Sequence, residues 1–477
     1  MDKAKRLPVL TEGPIASTLL MFALPILGSN VLQSLNASVN AIWIGHYLGE
    51  AALTAASNAN LILFFLLGVV FGISMATTIL VGQSMGARNL VEAKRIVGTG
   101  SSFFLLLSLG VAVFGFIVTP ELLHLMGTPA DAQPYAIAYM RIIFVALPAM
   151  YFYNFLMMTL RGAGDSKTPF YFMLLSVALD IGLNPVFIFG IGPIPKMGIA
   201  GSALATLIAQ TTALLGLIAY LYHRKHFLRI GRGELRLLRP DPTILRALVL
   251  KGLPMGLQMV VISSSAIIMI SLVNRHGSQT TAAFGAGSQL WTYIQMPALA
   301  IGTAVSSMTA QNVGARLWDR VSRIAKVGVG FNFLMTGVLV GIIYLFNRSA
   351  LGLFLPDDGM AISIAQHLNA IVVWSFLFFG VTFVLFGVVR ATGAVMAPLI
   401  ILAISMWLIR YPFAALLEPR YGADAIWWSF PLGSLVSLTL AVLYYRFGNW
   451  RKAHMLKGDV DIPQAPTTGV ATPAAEV

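Results

Sequence analysis

The 477-residue chain has no cysteine at all, which excludes a disulfide framework, a thiol nucleophile and any zinc–thiolate centre. Charge is the second scarcity: Asp, Glu, Lys and Arg make up only 10% of the residues. Soluble domains carry about 25%. Nor is there a long polar block, so neither a soluble multidomain enzyme nor a disordered scaffold fits, because too little polar surface exists to hold the chain in water. What fills the sequence instead is apolar: 57% falls in AVILMFWYC and the mean hydropathy is +0.82. These figures describe a polytopic membrane protein.

A membrane-crossing helix needs about 20 mostly apolar residues, since each backbone amide must be paired within the helix once water is gone. Twelve such runs are predicted, over residues 15–44, 51–82, 93–119, 134–160, 169–189, 198–221, 243–273, 280–309, 321–346, 361–389, 396–417 and 425–445. None alternates over about ten residues as a barrel strand would. The fold class expected is all-α and polytopic, with twelve transmembrane helices. The N-terminal segment is short and basic, and the run from Ile15 is too long for a signal-peptide core, which marks it as a retained span.

The formal net charge of +13 has to be read by position. Of 31 Lys and Arg residues, 25 fall on the side holding both termini and the central connector, while only Lys196, Arg275, Arg348 and Arg420 fall on the other. Arg141 and Arg410 sit inside predicted spans. This bias places both termini in the cytoplasm of a cell inner membrane. The basic residues therefore serve orientation and anionic-lipid contact, and no nucleic-acid partner is expected.

An internal repeat divides the chain. Gln83-Ser-Met-Gly86-Ala-Arg88 returns as Gln311-Asn-Val-Gly314-Ala-Arg316 at an offset of 228, and at 229 Arg161, Gly164 and Pro169 meet Arg390, Gly393 and Pro398. Leu24-Pro25 likewise meets Leu253-Pro254. Six spans per half is an even number, so the halves are parallel repeats related by a pseudo-two-fold axis along the membrane normal. The expected organisation is a cytoplasmic N-terminus (1–14), an N-lobe (15–222), a basic connector (223–242), a C-lobe (243–446) and a cytoplasmic, largely disordered tail (447–477). The Gly-Ala-Arg elements read as structural, Gly allowing a tight turn and Arg pairing with lipid phosphate or a helix C-terminus. Arg161 and Arg390 read the same way. Pro25 and Pro254, related by the repeat, are hinge candidates together with Pro148 and Pro297.

Twelve spans in two lobes, Leu-Pro early in spans one and seven, Gly-Gln-x-x-Gly-Ala-Arg after span two and Arg-Gly-Ala-Gly-Asp-x-Lys-x-Pro after span four resemble the MATE (multidrug and toxic compound extrusion) family. The resemblance covers about residues 10–450. It implies a secondary active antiporter that expels cationic or amphipathic organic compounds in exchange for protons or sodium ions, with no cofactor and no enzymatic step. One chain, holding both lobes, is expected to work as a monomer.

Among 18 acids only Asp180 lies well inside a span, where burying a carboxylate costs at least about 2.5–3.5 kcal/mol. Asn184 follows four residues later on the same helical face, and Pro185 frees a carbonyl one turn back. A carboxylate, an amide and a loosened carbonyl on one face make a proton or cation site. In the DinF-like branch of the family the order is Asn first and Asp four residues on, so the order here is swapped. The family's first span also usually carries an Asp where this chain has Asn40. One carboxylate in place of two tilts the expected coupling toward protons, with sodium as the alternative, since Asn40 and Asn184 offer neutral oxygens. Gln33, Asn36, Asn154 and Thr206 complete the N-lobe candidates.

For substrate contacts, Tyr151, Tyr153, Trp291, Tyr293 and Trp374 could face an organic cation. The histidines lack metal-ligand spacing, and no metal site is expected. Two other readings remain open from the residues: a flippase for lipid-linked precursors, which calls for a more basic central cavity, and a membrane-embedded transferase, which calls for an acid-rich membrane face.

Overall fold

The computed structural model describes residues 10–355 and 359–456. The N-terminal residues 1–9 and the tail beyond 456, expected to be disordered, lie outside the described residues. Among the described residues there is no strand. The twelve long helices are α1 (Ile15–Leu48), α2 (Glu50–Gly86), α3 (Leu90–Leu125), α4 (Gln133–Gly162), α5 (Lys167–Phe189) and α6 (Ile199–His223), then α7 (Pro242–Asn274), α8 (Ser278–Gly314), α9 (Trp318–Leu345), α10 (Met360–Arg390), α11 (Met396–Tyr421) and α12 (Ala423–Phe447).

Eleven of them are long and apolar enough to cross a membrane. The exception is α8, whose last turns carry Ser306, Ser307, Thr309, Gln311 and Asn312, all fully buried. Those last turns are surrounded by protein and have no lipid face to keep apolar, so their composition is free of that constraint. Helix α11 is interrupted by a π-helical stretch, Ile404–Arg410. The helices run unbroken through Pro25 and Pro254.

Within the first half α2 packs on α4, α3 on α4 and α5 on α6; within the second, α8 packs on α9 and α10, and α10 on α12. Between halves α1 meets α8, while α2 meets both α7 and α8. The α2–α8 approach is closest at the face that carries the described ends of the chain. A Cβ on Gly86 would fall 1.8 Å from the Gln311 carbonyl oxygen, and one on Gly314 would fall 1.9 Å from that of Gln83. The repeat's glycines are thus crossing points between helices, which corrects the expectation that they make the turn.

The turn belongs to the arginines. Arg88 and Arg316 both take left-handed backbone angles, φ 58° and 59°. The two helix ends are closed by matching bonds, Asn89 N–H to Ser84 and Leu317 N–H to Asn312. Neither arginine is buried: Arg88 reaches only an exposed Glu12 at 3.5 Å. Arg161 and Arg390, by contrast, are 5% and 7% exposed. Instead of meeting lipid, Arg390 donates to the Phe386 carbonyl at 3.1 Å and to Gln258 at 3.3 Å. The Arg161 guanidinium contacts the Met158 sulfur at 3.9 Å.

Two hydrogen bonds finish the crossing. Gln83 on α2 donates to the Ala391 carbonyl beyond α10 at 2.7 Å, and Gln311 on α8 donates to the Gly162 carbonyl at the end of α4 at 3.0 Å. Each half therefore holds the other by the same device. Gln311 also accepts from the Leu10 N–H at 2.7 Å, tying down the entry to α1.

The connector is ordered rather than a loose basic link. It forms a 3₁₀ turn, Arg232–Leu238, docked on α3 through Lys94 to Glu234 at 2.7 Å and Arg95 to Asp241. The Gly231 N–H and the Lys94 ammonium hold the Glu234 carboxyl below the usual carboxylate range.

Replacing Gly314 by Val overpacks the crossing, so thermal unfolding should show a loss of about 1–3 kcal/mol. Cysteine introduced at Ser84, which is 8% exposed and would be the chain's sole thiol, should label faster in that background because the overpacked crossing opens and exposes it. For the connector, a lowered native pKa stabilises above the unfolded value of about 4.3 and is lost as pH falls through the native value. The thermal midpoint of Glu234→Gln should fall below wild type at pH 7 and converge with it toward pH 3.

Candidate functional site

Asp180 lies on the face of α5 that packs against α1 and α6 and is 2% exposed. Its carboxylate sits in a cage of neutral donors. Oδ2 accepts from the amides of Asn36 at 2.7 Å and Asn40 at 2.9 Å. Oδ1 accepts from the Thr206 hydroxyl at 3.0 Å and the Asn184 amide at 3.3 Å. Asn184, fully buried, also donates to the Asp180 carbonyl at 2.8 Å and to Asn40 Oδ1 at 3.0 Å.

The local sequence explains the cage. Asn36 and Asn40 are four residues apart and so share one face of α1, as Asp180 and Asn184 share one face of α5. Thr206 comes from α6. Three helices thus converge on one carboxylate, and its four acceptor positions are filled without an opposite charge. Two buried amide oxygens, Asn36 Oδ1 and Asn184 Oδ1, are left without a partner.

Five of the seven N-lobe candidates come together here. Gln33, exposed on α1, and Asn154, half-buried on α4, hydrogen-bond to none of them. Among the described residues no group of three or more His, Cys, Asp and Glu could hold a metal ion.

The aromatic candidates separate more sharply. Trp291 lines a cavity of about 300 Å³ inside the second half, with its indole N–H bonded to Asn369 at 3.0 Å. Tyr293 is 45% exposed, because two residues along a helix turns a side chain by about 200°. Trp374 stacks edge-on against Phe378 and lies outside that cavity. Tyr151 and Tyr153 are each 2% exposed, and Tyr151 bonds the Leu66 carbonyl at 3.4 Å. They are core residues of the first half and do not line that cavity.

Two six-helix lobes crossing at one face, with Asp180 the one fully buried carboxylate among the described residues, form the architecture of a multi-pass membrane transporter. The MatE family profile matches residues 25–186 and 254–416, one copy in each half. The chain belongs to the MATE family of efflux transporters. It is 38% identical to the probable multidrug resistance protein YoeA of Bacillus subtilis over 92% of this chain and 94% of that one. It is 24% identical to the probable multidrug resistance protein NorM of Thermotoga maritima, over 93% and 94%. Among solved structures, an outward-facing multidrug resistance MATE family transporter of the MOP superfamily superposes with a TM-score of 0.86 at 21% identity, covering 94% of this chain and 98% of that one.

The cage makes a ranked prediction. Thr206→Val removes one bond to the carboxylate, whereas Asn40→Leu removes a donor to Asp180 and an acceptor for Asn184. Thermal unfolding should show a loss of about 1 kcal/mol for the first and about 2–3 kcal/mol for the second.

Proposed function

We propose that this transporter is a secondary antiporter that expels cationic and amphipathic organic compounds in exchange for protons. The observation that carries the reading is Asp180, buried with four neutral donors and no cation. A carboxylate in that setting can take up a proton without breaking an ion pair. The proton needs an acceptor, and the unpartnered Asn36 Oδ1 belongs to the amide that donates to Oδ2. Rotation of that amide turns its carbonyl to the new O–H. Proton binding then exchanges a donor for an acceptor between α1 and α5, which is a means of shifting the two helices.

Sodium coupling is the second reading, favoured by the same two unpartnered oxygens. With the amides of Asn36 and Asn184 rotated, their carbonyls and the carboxylate offer oxygen ligands to a hard cation.

The basic bias supports placing the terminus-bearing face in the cytoplasm of an inner membrane. The Gln83 and Gln311 bonds then close the pathway on the cytoplasmic side, and alternating access requires both to break as the lobes rock. A single chain carries both lobes, in keeping with a monomer, and its partners are small organic substrates and membrane lipids.

The test uses reconstituted vesicles loaded with a fluorescent organic cation, under separately imposed proton and sodium gradients. Wild type should drive efflux with the proton gradient, and Asp180→Asn should fall to the rate of protein-free vesicles. Gradient-driven efflux by the variant would reduce Asp180 to a packing residue, and efflux driven by sodium alone would select the second reading.

A further inference from the structure

We propose that the second lobe holds its own ligand site, centred on Arg410, which takes the carboxylate of an aromatic organic anion or zwitterion. Arg410 lines the cavity of about 300 Å³ that also includes Trp291. Its guanidinium lies 3.5 Å over the ring of Phe430. Among the described residues it has no hydrogen bond and no acid partner, and its buried Nε is unpartnered. The nearby acids are already engaged: Glu418 with Arg275 and His276, and Asp424 with His367. A guanidinium removed from water and left unpaired is costly to hold, and groups of this kind within spans mark ligand pathways.

The repeat shows where this site comes from. Pro169 on α5 matches Pro398 on α11 at an offset of 229, while Asp180 and Arg410 are 230 apart. The π-helical stretch ending at Arg410 accommodates that one extra residue. The neighbouring helices agree: Thr206 stands eight residues after the α6 cap Gly198, and Phe430 eight after the α12 cap Gly422. Thr206 bonds Asp180, and Phe430 stacks on Arg410. The C-lobe therefore holds a charge-inverted counterpart of the N-lobe cage, with a base for the acid and a ring for the hydroxyl.

The surroundings define the ligand. Phe284, Trp291, Phe376 and Phe379 supply flat apolar walls, with Gln295 and Ser434 as polar points. The guanidinium fork matches a planar carboxylate in two parallel hydrogen bonds. The volume is at the lower end for small-molecule sites and suits a fused-ring aromatic body. Arg410 stands about 21 Å along α11 from Met396, at 1.5 Å per residue, deep within the span and away from the level of lipid phosphates. That depth favours an organic carboxylate over a lipid headgroup.

Binding of radiolabelled 2-naphthoate to the full chain in nanodiscs tests this at equilibrium, without any gradient, so its outcome is separate from the coupling role of Asp180. In phosphatidylcholine discs wild type should bind naphthoate saturably, and the neutral isostere 2-naphthalenemethanol should compete at least about tenfold more weakly, the low end for a charge-assisted bond. Arg410→Gln should weaken naphthoate by a similar factor and leave the neutral compound unchanged, with Arg410→Lys in between. Absence of saturable binding, equal affinity for the neutral isostere, or unchanged naphthoate binding by Arg410→Gln would overturn the proposal. So would loss of wild-type binding when phosphatidylglycerol replaces phosphatidylcholine, which would assign the guanidinium to an anionic lipid headgroup. The comparison of the two ligands on wild type decides the matter even if the variants fail to fold.

Discussion

Two helices can bring their backbones into contact only where one of them lacks a side chain at the contact, and α2 and α8 meet that condition reciprocally. Gly86 faces the Gln311 carbonyl and Gly314 faces the Gln83 carbonyl, so each half supplies both the gap and the group that fills it. The glutamines then reach across to the ends of α10 and α4. The crossing anchors one end of the seam between the lobes, which α2 continues against α7. It positions the buried polar end of α8, fixes where α1 enters through the Leu10 to Gln311 bond, and leaves the lobe interiors on either side of it.

The two interiors treat charge by opposite means. Around Asp180, neutral donors from α1, α5 and α6 saturate the carboxylate, so the charge is solvated by protein dipoles. Around Arg410 only a ring face answers the guanidinium. A saturated acid and an unsaturated base therefore stand in pseudo-equivalent places, and the asymmetry between them distinguishes two lobes that share one topology.

Much of the fold was legible because span length and apolarity are imposed by the bilayer, and the repeat was visible because its motifs recur at one offset. Asp180 stood out through scarcity, Asn184 through helical spacing and Asn40 through the family's usual Asp at its position, while Asn36 and Thr206 stood out only as polar residues within spans. Gln33 and Asn154 were indistinguishable from these by the same criteria, because helix rotation is set by packing that a uniformly apolar run does not encode. The aromatic residues separate for the same reason: Tyr151 and Tyr153 face the core, Tyr293 faces out and Trp291 lines the second-half cavity, yet all lie in similar sequence. The Gly-Ala-Arg motif was recognised but misread, since glycine serves turns and close crossings equally and only the partner helix tells them apart. Gln83 and Gln311 were the missed signal, repeated at the same offset as the glycines beside them.

The π-helical stretch in α11 bears on how a duplicated protein diverges. A point substitution changes what a position carries, whereas an inserted residue changes the direction of everything beyond it. In an ordinary helix that rotation of about 100° would propagate to the far end and misalign a whole lipid-facing surface. A widened stretch confines it: Pro398, before the stretch, matches Pro169 at one offset, and Arg410, at its end, is carried one position on. Length variation, usually confined to loops, has here been absorbed inside the bilayer.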